Sequence, residues 1–136
     1  MYVREGMTDV VLTVGPGHTL REAAASMCRR KVGAAVVLDP EAQGPGVITE
    51  RDVLVSLGNG EDPDRELVAD HLTSKLTFAS PDWSLEQAAG VMVRGRFRHL
   101  VVVEGGELMG ILSMRDIVRC WTGDGASCEV PAAAQG

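Results

Sequence analysis

No stretch of this chain is apolar for long enough to cross a bilayer. Runs such as Ala34 to Leu38 and Leu100 to Val103 fall far short of the ~20 residues a spanning helix needs. The opening residues, Met1-Tyr2-Val3-Arg4-Glu5-Gly6, hold no apolar core of a secretory signal, so a cytoplasmic location is expected, with no membrane partner. Basic charge is scarce: 13 Lys and Arg stand against 19 Asp and Glu, a net charge of -6. That excludes general nucleic-acid binding, where a basic face supplies most of the affinity. It does not exclude a small anionic ligand, because a few arginines can serve one phosphate inside an acidic protein. Cysteine occurs three times, at 28, 120 and 128, without C-x-x-C spacing and in an odd number, which gives no disulfide framework. His18, His71 and His99 stand singly, so neither a metal site built from sequence neighbours nor a cofactor is expected. A P-loop and a nucleophile–base pair are also missing, which weighs against an enzyme.

What is present is a core and a repeat. Hydrophobic residues make up 45% of 136 residues, enough for one compact domain or two small, mutually dependent ones. Met7 to Leu38 lies over Leu72 to Val103 at an offset of 65, which brings Thr8 to Thr73, Pro16 to Pro81, Leu20 to Leu85 and Met27 to Met92. After one residue is lost in a turn the offset is 64, and Gly46, Arg51 and Asp52 meet Gly110, Arg115 and Asp116. The chain is an internal duplication.

Each copy carries the same pattern. Leu20, Ala23, Ala24, Met27 and Cys28 recur on one face of a helix, and Thr19 with Glu22, like Ser84 with Gln87, spells a capping box at a helix start. Ala34 to Leu38 and Leu100 to Val103 are short buried-strand runs, each followed by a turn, a second strand and a second helix, Glu50 to Leu57 or Met114 to Trp121. The expected fold is α+β, with the order β-α-β-β-α twice. Repeat 1 covers residues 7–58, a turn-rich charged linker 59–70, repeat 2 71–121, and a flexible Ala- and Gly-rich tail 122–136. A repeat of about fifty residues buries little surface alone, so the copies are expected to pack around a pseudo-twofold axis, with a ligand cleft arising twice.

The sharpest local feature is Gly46-Val47-Ile48-Thr49-Glu50-Arg51-Asp52 and its echo Gly110-Ile111-Leu112-Ser113-Met114-Arg115-Asp116. Read structurally, S/T-x-x-D after a strand is a capping box. Read functionally, a helix N-terminus suits a phosphate, and a carboxylate there can accept both hydroxyls of a ribose. The residues alone leave both readings open.

The duplicated order and the paired G-h-h-S/T-x-x-D endings resemble a tandem pair of CBS domains, the family named after cystathionine β-synthase. The segment from Arg98 to Val103, with Gly110 to Asp116, is also similar to the regulatory subunit of AMP-activated protein kinase. The resemblance implies a regulatory module that binds AMP, ADP, ATP or another adenosine ligand and has no catalytic role. By position it implies one pocket from Val32, Gly33, Ala34, Arg98, Ile111, Ser113 and Asp116. A weaker second pocket would use Val47, Thr49, Asp52, Phe97, Arg98 and His99, with the larger Phe97 where the first has Val32. In both, the Asp would hold the ribose and the Ser or Thr would sit by the sugar and phosphate; Arg98 would be the basic phosphate contact of the first pocket, and the second, with Gly33 at the equivalent position, would lack that partner. With no catalytic or channel domain attached, the module would act on an unidentified protein in trans. The alternative is a structural dimerisation module of the same fold that has lost its ligand.

Arg51 and Arg115 are read as exposed first-turn residues or as phosphate contacts. Trp83 is read as a hydrophobic staple against Ala88, and His99 as a pocket wall. Cys28, on the apolar stripe, is read as a buried, inert thiol. Ala23-Ala24 and Ala88-Ala89 permit close helix approach, and a homodimer formed through these helices is expected.

Overall fold

The computed structural model describes residues 1–123, and they divide into two compact units, Val10–Thr77 and Met1–Asp9 with the chain from Phe78 onward. The expected C-terminal tail lies, beyond Thr122 and Gly123, outside the described residues. In chain order the elements are α1 (Val3–Gly6), β1 (Thr13–Val14), α2 (Leu20–Arg30), β2 (Ala34–Val37), β3 (Gly46–Thr49) and α3 (Glu50–Gly58). A 3-10 turn (Val68–Asp70) precedes β4 (Phe78–Ala79), α4 (Leu85–Gly95), β5 (His99–Glu104), β6 (Glu107–Ser113) and α5 (Met114–Gly123).

The Val10–Thr77 unit holds a sheet in the order β1-β2-β3, with β1 parallel to β2 and β2 antiparallel to β3. The other unit repeats this as β4-β5-β6, again parallel then antiparallel. The order β-α-β-β-α is therefore present twice, as the duplication predicts. All four residues of β2 are buried, which explains an unbroken apolar run in place of alternation.

Both first helices start as their sequences require. Thr19 accepts from the Glu22 N–H at 3.1 Å, and Glu22 Oε1 accepts from the Thr19 N–H at 2.9 Å. Ser84 accepts from the Gln87 N–H at 3.0 Å, one half of the same device. Both helices end on a left-handed residue that is not glycine, Lys31 (φ 56°) and Arg96 (φ 59°). Leu20, Ala23 and Met27 bury against Ile48, Val53 and Val68 in one core. Leu85, Ala88 and Met92 do so against Val3, Leu112 and Ile117 in the other. Each fully buried Leu or Ile contributes about 1.5–3 kcal/mol.

One expectation needs correction. Cys28 is exposed, because α2 turns its Leu20–Ala23–Met27 stripe inward and leaves the next position outside it. Ala23 and Ala88 are fully buried within their own units, while Ala24 and Ala89 beside them are half-buried. The stretch 59–70, a linker by composition, is docked at its end: Val68 is fully buried, and its N–H donates to the His18 carbonyl at 2.8 Å. Trp83 is half-buried against the core that contains Ala88, as a staple would be.

The residues ahead of β1 pack in the unit of the second sheet. Val3 is fully buried against Leu85 and Leu112, and Thr8 bridges Ile111 beside β6. In the Val10–Thr77 unit, Thr73 bridges Val47 beside β3 in the same way.

Candidate ligand-binding site

In each unit the motif sits where a strand runs into a helix. Thr49 ends β3 and caps α3: its hydroxyl accepts from the Asp52 N–H at 3.2 Å. Asp52 Oδ2 reaches back to the Thr49 N–H at 2.8 Å and to the Thr49 hydroxyl at 2.9 Å. Ser113 and Asp116 repeat the arrangement, with the Ser113 N–H donating to Asp116 Oδ2 at 2.9 Å and the Asp116 N–H donating to Ser113 Oγ at 3.0 Å. The capping reading of S/T-x-x-D therefore holds in both copies. It satisfies two backbone donors per helix start that would otherwise lack partners.

Capping leaves the two carboxylates in different states. The bonds found on Asp52 fall on Oδ2, while Asp116 Oδ1 is also paired with Arg119 Nη2 at 2.9 Å. Asp116 is buried and Asp52 half-buried. Arg119, on the next turn of α5, escaped the sequence reading because i,i+3 pairs on exposed helix faces are ordinary.

The strand before each motif brings the other candidates to the same end of the sheet. In the Val10–Thr77 unit, Ala34 pairs with Thr49 across β2 and β3, and the Glu50 N–H donates to the Gly33 carbonyl at 2.9 Å. Ala34 and Val47 are buried, Gly33 is half-buried and Val32 is exposed. In the other unit, His99 pairs with Ser113 across β5 and β6, and the Met114 N–H donates to the Arg98 carbonyl at 2.8 Å. Arg98 is exposed, while Phe97, His99 and Ile111 are half-buried. Each unit thus gathers its own half of both expected residue sets at one strand–helix junction: Val32, Gly33, Ala34, Val47, Thr49 and Asp52 in one, Phe97, Arg98, His99, Ile111, Ser113 and Asp116 in the other.

These bonds also limit what a helix start can offer an anion. The first and third N–H groups of each helix are already used, which leaves the Arg51 and Arg115 N–H as first-turn donors without a partner among the described residues. Both side chains are exposed.

The junctions differ in charge. A methyl group at Gly33 would meet Glu50 Oε1 at 2.9 Å, so the Glu50 carboxylate lies against that backbone. The equivalent pair in the other unit is Arg98 and Met114, a cation with no acid. Glu50 fills a variable position of the motif, so the pattern alone gave no reason to single it out. Phe97 folds back over its own unit: a methyl at Gly95 would meet its ring at 2.0 Å. That contact, with packing against the core around Leu100, accounts for a large ring at this position.

The CBS domain family matches twice, over residues 3–59 and 68–123, and the chain belongs to that family. The CBS domain-containing protein YhcV of Bacillus subtilis is 34% identical over 118 residues, covering 85% of this chain and 81% of the relative. A CBS domain protein of Pyrobaculum aerophilum, solved in complex with AMP, is 29% identical with a TM-score of 0.76, covering 85% of this chain and 89% of that one. A hexameric CBS-CP12 protein from bloom-forming cyanobacteria is 27% identical with a TM-score of 0.81, covering 87% of this chain and 69% of that one. Other relatives are longer: the chain spans 44% of an uncharacterized Methanocaldococcus jannaschii protein at 35% identity, and 19% of an Arabidopsis thaliana CBS domain-containing protein at 36%. No helix among the described residues is long and apolar enough to cross a membrane.

Proposed function

We propose that this chain is a regulatory module that binds an adenosine compound, with AMP as the reference ligand, and performs no chemistry on it. The observation that carries this is the duplicated junction, in which a carboxylate is held beside a hydroxyl at a helix start, twice over and in the same geometry. Carboxylate and hydroxyl suit a ribose, and Arg98 supplies a cation for a phosphate. The AMP complex of the Pyrobaculum relative supports the ligand class. By position, Asp116, Ser113, Ile111 and Arg98 would serve one ligand together with Val32, Gly33 and Ala34. Asp52, Thr49 and Val47 would serve a weaker one with Phe97 and His99. Such a module would pass its state to a protein partner in trans.

Mass spectrometry of small molecules released by denaturing the purified protein tests the reading directly. An adenosine compound in the released fraction supports it. No such compound, and no heat on titration with AMP or adenosine at millimolar concentration, overturns it.

One observation favours the alternative of a structural module without ligand. Both aspartates are already occupied as helix caps, and Asp116 is paired with Arg119 as well. Self-association belongs to either reading. The hexamer of the cyanobacterial relative supports it, and we propose a homodimer. Its contact residues would come from the first helices, at Ala24 and Ala89, or from Leu54 (68% exposed) and Val55 on α3 and Val118 and Trp121 on α5. Light scattering that returned a monomer mass at tens of micromolar protein would overturn the dimer.

A further inference from the structure

Glu61, Glu66 and His71 are spaced five apart, which matches no metal-ligand signature, yet the turns after α3 bring them together. One ligand atom of each lies within 4.8 Å of the other two, and all three residues are half-buried. Their backbones are pinned. The Glu61 N–H donates to the Ser56 carbonyl at 3.1 Å, the Glu66 carbonyl accepts from the Leu20 N–H at 2.9 Å, and the His71 N–H donates to the Val68 carbonyl at 3.0 Å.

The charges of this cluster do not balance. His71 Nε2 and Glu66 Oε1 are 2.7 Å apart, and Glu61 Oε1 accepts from the hydroxyl of buried Ser56 at 2.8 Å. One imidazole, in either protonation state, offsets at most one of the two carboxylates. The neighbouring arginines are committed elsewhere, Arg21 to Asp64 and Arg65 to Asp62, and among the described residues no Lys or Arg pairs with Glu61 or Glu66. Two carboxylates drawn this close and partly out of water repel each other, and a divalent cation would remove that cost.

We propose that Glu61, Glu66 and His71 form a binding site for a first-row divalent transition-metal ion of the Zn2+ type. One imidazole nitrogen and two carboxylate oxygens are three of the four ligands such an ion takes, with water as the fourth. The imidazole disfavours Mg2+ and Ca2+, which take six or more oxygens. The ion would replace the hydrogen bond between His71 and Glu66, and their separation would open to about 3.3 Å, set by metal–ligand distances of about 2.0–2.1 Å. Ser56 acts as the outer partner that orients the Glu61 carboxylate. Because Glu61 is tied to the end of α3 and Glu66 to the start of α2, the ion would clip the connector onto both helices.

The test is a calorimetric titration of the chelator-stripped full chain with Zn2+ at neutral pH, with Mg2+ alongside and a thermal melt at each endpoint. One Zn2+ per chain, a raised melting temperature and no response to Mg2+ are expected. Glu61→Gln keeps an acceptor for Ser56 and should fold; it and His71→Gln should each weaken Zn2+ at least about tenfold. Metal-free melts of both variants confirm that they fold. Co2+ in place of Zn2+ should show no thiolate charge-transfer band, which separates this site from the cysteines. No stoichiometric binding, binding unchanged in both variants, or a thiolate band would each overturn the proposal.

Discussion

Val3 and Val68, 65 positions apart, make the same hydrogen bond in their own units: the Val3 N–H donates to the Trp83 carbonyl and the Val68 N–H to the His18 carbonyl, both at 2.8 Å. The parallel continues through Arg4 to Pro81 and Ala69 to Pro16, and through the Thr8–Ile111 and Thr73–Val47 bridges. So residues 3–8 complete the unit that holds the second sheet, and residues 68–73 complete the unit that holds the first. The family matches begin at residues 3 and 68, in step with this exchange.

The exchange explains why each motif opens on glycine. A methyl at Gly110 would meet the Thr8 carbonyl oxygen at 2.6 Å, whereas at Gly46 it would first meet Leu72 Cδ1, at 2.8 Å. A side-chain methyl can swing away and a bridged backbone cannot. Gly110→Ala should therefore cost about 1–3 kcal/mol in chemical denaturation and Gly46→Ala clearly less. Equal losses would show that the leading segment is not held against β6.

Legibility in the sequence followed locality. The repeat, the helix starts at Thr19 and Thr49 and the buried strands were all readable, because capping spacing and apolar runs act between near neighbours. Val3 and Val68 were not, since a single valine outside any periodic run shows its burial only when a distant element covers it. The capping role of Asp52 and Asp116 was visible as one of two readings. The pairing of Asp116 with Arg119 and the placing of Glu50 against Gly33 were not, because both depend on rotamers that spacing does not specify. Cys28 was misplaced by counting it into a helical stripe whose buried part stops at Met27.

Lys31 and Arg96 hold φ of 56° and 59°, a region that costs a residue with a Cβ roughly 1 kcal/mol and glycine almost nothing. Both are exposed, so replacement removes little packing. Lys31→Gly and Arg96→Gly should each raise the unfolding free energy by up to about 1 kcal/mol, less the entropy that glycine returns to the unfolded chain. A loss of stability in both would mean that these side chains make contacts that outweigh the strain.

Glu22 provides a pH test. Hydrogen bonds from the Thr19 N–H and hydroxyl hold its carboxyl below the usual carboxylate range, and the bond from Arg21 does the same for Asp64. Between the lowered folded value and the ordinary one, the unfolded chain binds more protons. The contribution is therefore complete above the ordinary range and is lost as pH falls through the folded value. Melting temperature should drop on acidification from about pH 5 to about pH 3, and Glu22→Gln should flatten part of that drop. A Glu22→Gln curve parallel to the wild type would remove the cap from the acid response.

The decisive prediction concerns Asp116 and the charges around the two junctions. Asp116→Asn should weaken AMP binding by about ten- to a hundredfold, the loss of one charge-assisted hydrogen bond of about 1.5–3 kcal/mol. The fold should survive, because an asparagine carbonyl can still accept from the Ser113 N–H. Arg119→Ala releases Asp116 Oδ1 without touching the cap, so it should leave AMP binding equal or tighter. Arg98→Ala should weaken AMP more than adenosine, since only AMP has a phosphate to lose. Glu50→Gln, which removes the carboxylate lying against Gly33, should do the reverse and favour AMP over adenosine. Calorimetric titration of AMP and adenosine into the wild type and these four variants reads all of this at once. AMP binding that survives Asp116→Asn unchanged would reduce the motif to a helix cap. Equal effects of Arg98→Ala on both ligands would remove Arg98 from the phosphate.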